Sequence, residues 1–147
     1  MNKAAIQKLH EELLTSWNAQ DANRMSTLFQ ENGNIIGFDG SQLNGQISIR
    51  TELVKVFSHH KTASYVWKVE EVRFLSTEVA LLRALVGMIP PGKKEINPAT
   101  NAIQSLVAVL DKKTWKISLF QNTPAQFHGR PELVESMTTE LNKLVSR

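Results

Sequence analysis

Over most of residues 6–57 the apolar positions recur every three or four places; over most of residues 64–122 they alternate or run unbroken. Ile6, Leu9, Leu13 and Trp17 fall on one side of a helical projection, so the spacing predicts an amphipathic helix over residues 3–19. Asp21 offers a carboxylate to the free amides of a second helix, whose apolar side would be Met25, Leu28 and Phe29. Asn32-Gly33 is expected to end that helix, because glycine takes a left-handed cap without steric cost. A short strand over residues 34–38, an Asp39-Gly40 turn and a brief return strand over residues 42–44 follow. Ser48 reads as the cap of a third helix that buries Ile49, Leu53, Val56 and Phe57. His59 and His60 close it at the end where the helix dipole favours positive charge.

The period then changes. Residues 64–75 alternate as a long strand, and the wetter face can switch along it if a bulge intervenes. Residues 79–89 are apolar on both faces apart from Arg83, which predicts a strand covered on both sides. After a loop with Pro90, Pro91, Gly92 and Asn97-Pro98 come two more strands, over residues 102–110 and 115–122. Pro131 suits the first turn of a last helix, with Leu133, Met137, Leu141 and Leu144 as its buried stripe. Helices and strands are segregated, so the fold class is α+β with hairpin-linked antiparallel strands. A strongly curved sheet wrapped over the first three helices would leave a concave mouth, a usual place for a small ligand.

Composition narrows this picture. The 147 residues fit one domain, with no linker or repeat. The absence of cysteine excludes a disulfide scaffold and a thiol nucleophile, and it fits a cytoplasmic location. Charges at Lys3, Lys8, Glu11 and Glu12 interrupt any signal-peptide core, and no apolar run reaches the roughly 18 residues of a spanning helix. The net charge is +3, but the basic residues are scattered and only one tyrosine is present, so neither nucleic acid nor membrane is an expected partner.

The segment SWNAQDANRMSTLFQENGNIIG resembles the opening of the nuclear-transport-factor-2-like superfamily in its SnoaL-like branch. Gly45 to Ile49 resembles the glycine that precedes its third helix, and DKKTWKISLFQNTPA resembles its last strand. The SgcJ/EcaC group is the nearest resemblance, over about residues 4–126, with residues 131–145 as a helical extension. The resemblance implies a cystatin-like, cone-shaped α+β barrel, usually a homodimer formed through the outer sheet faces, with a pocket between sheet and helices. It implies isomerase, cyclase or dehydratase chemistry without a cofactor, or a non-catalytic association or carrier domain. The isomerases of the superfamily place a base Asp on the strand before the third helix; Asp39 lies near that place, but in a turn.

Several residues carry candidate chemistry. Asp39 or His59 would move a proton, the aspartate if apolar walls raise its pKa, the histidine because it titrates near neutrality. His59 and His60 diverge by roughly 100° on a helix, so they cannot jointly hold a metal, and no metal or cofactor is expected. Arg83 needs a partner on a covered strand, which Glu70 or Glu71 would supply, or it binds a ligand carbonyl or anion. Gln104 and Asn122 are amides on otherwise apolar strands and are candidates for polarising a carbonyl. Trp17, Phe38 and Trp67 are candidate walls for a small, mostly apolar ligand.

Overall fold

The structure, a computed structural model, describes residues 2–145. Asn2 caps the first helix, α1 (Lys3–Asn18), by accepting the Ala5 amide. Asp21 caps α2 (Ala22–Thr27) through the Arg24 amide. That helix is shorter than its composition suggests, because the chain enters strand β1 (Phe29–Ile36) at Phe29. Gly33 therefore does not end a helix. It lies inside β1, where a Cβ would come within 2.8 Å of the Ile117 carbonyl oxygen. Close approach of two backbones, and not a left-handed cap, is what requires glycine there.

A tight turn leads to β2 (Gln42–Asn44), which pairs back on β1. Helix α3 (Gln46–His59) starts two residues before the expected cap at Ser48. Its entry is set by Gly45, whose φ of 99° disfavours a residue with a Cβ. Then come β3 (Ser64–Ser76), β4 (Val79–Ile89), β5 (Ala102–Asp111), β6 (Thr114–Pro124) and α4 (Pro131–Asn142). The sheet order is β2-β1-β6-β5-β4-β3. Every pairing is antiparallel except β1 with β6, which is parallel.

The register of β3 against β4 shifts between Val69 and Glu71. This bulge at Glu70 changes which alternate residues face inward, so Tyr65, Trp67 and Val69 share the core side with Val72 and Phe74. The core lies between α1 and the concave side of the sheet: Ile6, Leu13 and Leu14 meet Leu82, Val86, Leu106 and Phe120, all buried. Each such side chain contributes about 1.5–3 kcal/mol relative to exposure.

A second cluster sits on the convex side. There α4 buries Met137 and Leu141 with Ile96 and Ala125, against Val66, Leu85 and Ile103. Leu133 and Leu144, expected in the same stripe, are exposed; Val134 and Thr138 turn inward instead. Among the described residues no helix is long and apolar enough to cross a membrane.

Candidate functional site

His10 follows Ile6 by one turn of α1 and precedes Leu13 and Leu14 by one, so helical geometry carries it to the core with them. It is fully buried. Its Nε2 lies 2.9 Å from Oε1 of Gln104, itself fully buried on β5. Gln104 and Asn122 are direct ladder partners across β5 and β6, so their side chains leave the same face of the sheet side by side. The Gln104 amide donates to Asn122 Oδ1 at 2.9 Å. A polar chain, His10 to Gln104 to Asn122, thus crosses an otherwise apolar interior. Buried amides need such partners.

Aromatic rings extend from this chain. The His10 ring stands edge-on to Trp67, with centroids 6.4 Å apart. Tyr65 lies two residues before Trp67 on the same side of β3, and its ring is 5.7 Å from that of Trp17, which also meets Phe57 at 5.3 Å. The Trp-Asn pair at the end of α1 fixes this arrangement. Trp17 Nε1 donates to the Ala63 carbonyl at 2.9 Å. The Asn18 side chain accepts the Tyr65 amide at 2.7 Å and donates to the Tyr65 carbonyl at 3.2 Å. Asn18 thereby occupies backbone groups on the outer edge of β3.

Burial sets the protonation states. It pushes the His10 pKa below the ordinary histidine value, with the bond to Gln104 opposing the shift only in part. It pushes the Tyr65 hydroxyl up to about 12, again opposed in part by Gln104. Tyr65 is half-buried over its whole side chain; the enclosed hydroxyl end, and not that average, governs its acidity. At neutral pH the interior therefore holds a neutral imidazole and a protonated phenol beside one amide. His10 Nδ1 is buried and has no partner among the described residues.

Of the residues expected from the sequence, the structure brings Gln104 and Asn122 together at this centre and places Trp17 and Trp67 around it. Four others lie elsewhere. Asp39 is exposed in the turn between β1 and β2, where its carboxylate accepts the Ser41 amide at 2.9 Å; that bond lowers its pKa, opposite to what a buried base requires. Phe38 is 42% exposed in the same turn and forms no wall. His59 is exposed at the end of α3. Arg83 points to the convex side, the face opposite Gln104, and its Nε donates to Glu71 at 3.3 Å. His10 and Tyr65 are the centre's titratable groups that sequence reasoning missed. The signal for His10 was present: it sits between Leu9 and Leu13 on the apolar stripe of α1.

Five of the clefts on the described surface stand out, among them a groove of about 450 Å³ beside α4 lined by Pro98, Phe127 and Arg130. His10, Gln104 and Asn122 line none of the five. The polar chain is packed among side chains and does not front on these clefts.

No family model and no curated protein matches the sequence. Solved structures do. A domain of unknown function with a cystatin-like fold from Nostoc punctiforme superposes with a TM-score of 0.80 at 23% identity, over 90% of this chain and 83% of its own. A ketosteroid isomerase-like protein from Erwinia carotovora atroseptica gives 0.66 at 15% identity, over 84% and 95%. An NTF-2 like protein of unknown function from Shewanella oneidensis gives 0.65 at 16% identity, over 84% and 99%. At these identities the likeness is one of architecture. The curved sheet, the helices on its concave side and these superpositions show that the chain has a cystatin-like fold.

Proposed function

We propose that this chain is a SnoaL-like small-molecule-binding domain of the SgcJ/EcaC group that carries out cofactor-free acid–base chemistry, with His10 as proton acceptor. The observation that carries this reading is the buried chain from His10 through Gln104 to Asn122. Groups whose surroundings drive their pKa values apart divide the roles of base and acid. His10 is held neutral and Tyr65 is held protonated, so one accepts a proton and the other donates a hydrogen bond to a developing oxyanion. Trp17, Trp67 and Tyr65 suit a mostly apolar ligand. Isomerisation, dehydration and cyclisation all draw on this pair of functions.

The domain is proposed to act as a homodimer in the cytoplasm. The half-buried apolar residues Leu81, Val107 and Leu119 on the convex face, beyond the part covered by α4, support self-association. A second reading, a non-catalytic association or carrier domain, is favoured by the packed interior and by the position of the five clefts.

Mass spectrometry under non-denaturing conditions, on protein purified from its native cells, separates the two. Retention of a small molecule by the wild type, and its loss in His10→Gln, supports the acid–base reading. A ligand-free wild type, or a His10→Gln variant that retains the molecule unchanged, supports the second.

A further inference from the structure

We infer that Gln104 is a positioning residue: it fixes His10 as the Nε2–H tautomer and leaves Nδ1 as the proton-accepting atom of the site. This rests on the reading of His10 as the base. The chain of bonds has a direction. Asn122 offers Oδ1, which only accepts, so the Gln104 side chain turns its NH₂ toward Asn122 at 2.9 Å. That orientation presents Oε1 to His10, and an amide oxygen carries no hydrogen. A hydrogen bond at 2.9 Å between Oε1 and Nε2 then requires the hydrogen on Nε2. In a neutral imidazole Nδ1 is consequently bare.

The reverse arrangement is the dearer one. With both amides flipped, Gln104 would donate to Nε2 and the hydrogen would move to Nδ1. Nδ1 is buried without an acceptor, so an N–H donor would be stranded there. Orphaned buried N–H groups are rarer than under-used acceptors. Gln104 is held in turn by its ladder register opposite Asn122, which the backbone pairing of β5 with β6 enforces. The sheet itself thus transmits a tautomer to a helix residue 94 positions away in sequence. The site so set takes a group that donates to Nδ1, an O–H, an N–H or an activated C–H.

The test is long-range ¹H–¹⁵N spectroscopy of the histidine rings in the labelled full chain without ligand, at about pH 8, where a histidine of ordinary or lowered pKa is neutral. The wild type is expected to show His10 protonated at Nε2 by about tenfold or more, the ratio one buried hydrogen bond supports. Gln104→Glu keeps an acceptor in place; it should retain Nε2–H and raise the pH at which His10 titrates. Gln104→Met removes the acceptor and should reduce the ratio to the weaker Nε2–H preference intrinsic to a neutral histidine ring. A wild-type ring protonated at Nδ1, or a Gln104→Met ring whose Nε2–H preference equals that of the wild type, overturns the inference. If Gln104→Met does not fold, the wild-type tautomer and the Gln104→Glu titration decide it. No ligand is in the sample, so failure here is distinct from failure of the proposed function, which mass spectrometry reads.

Discussion

Replacing Gln104 with Leu would remove one side chain and strand two others. His10 Nε2 loses its Gln104 partner, and Asn122 Oδ1 loses its Gln104 donor. A buried polar group left unsatisfied costs about 1–3 kcal/mol. His10 is fully buried and belongs at the upper end; Asn122 is 8% exposed, within reach of water, and belongs at the lower. Leucine is of similar size and recovers part of this by apolar burial, so the net loss should be about 2–4 kcal/mol. For a chain of this length that lowers Tm by roughly 2–4 °C per kcal/mol. Urea unfolding at constant m-value is the assay. His10→Leu in the Gln104→Leu background should cost less than His10→Leu alone, with a coupling of about 0.5–3 kcal/mol. A Gln104→Leu variant within about 0.5 kcal/mol of the wild type, or strictly additive effects, would refute a coupled buried network.

Acid should destabilise the fold through His10. Burial lowers its folded pKa, so below about 6.5 the unfolded chain takes up the proton first. Stability is therefore complete above that pH and falls by up to about 1.4 kcal/mol per unit as pH drops toward the folded value; His10→Gln should flatten this slope in urea titrations across the same range. Gly33→Ala places a Cβ 2.8 Å from the Ile117 carbonyl oxygen, a backbone atom that cannot swing away. It should cost about 1–3 kcal/mol by thermal unfolding, and an unchanged Tm would show that β1 and β6 separate easily there. Asp39→Asn should leave ligand retention as in the wild type, since that carboxylate serves an exposed turn; loss of retention would return Asp39 to the site.

The fold was legible where periodicity and turn chemistry agreed. The apolar stripe of α1, the cap at Asp21, the long strands and Pro131 at the head of α4 all stand in the structure as the pattern implies. Sequence reasoning failed where tertiary pairing overrode local preference. Leu28 and Phe29 suit a helix, yet parallel pairing of Phe29 with Ile117 draws the chain into β1. The site was half legible. Gln104 and Asn122 stood out because an amide at an inward strand position needs a partner, but nothing in the order of residues shows that the two lie opposite each other. His10 sits on the apolar stripe of α1, which signals burial, but nothing in the order of residues shows that Gln104 is its partner. Asp39 misled because Asp-Gly is also the chemistry of a tight turn, and the turn is what it serves.

The central claim is that His10 Nδ1 is a proton acceptor left bare for a ligand. A high-resolution crystal structure of protein purified from its native cells tests it most directly. Density from a small molecule is expected, with an atom about 2.6–3.2 Å from Nδ1 and the His10–Gln104–Asn122 chain intact. A retained molecule bound away from Nδ1, or protein that carries no molecule at all, would contradict it.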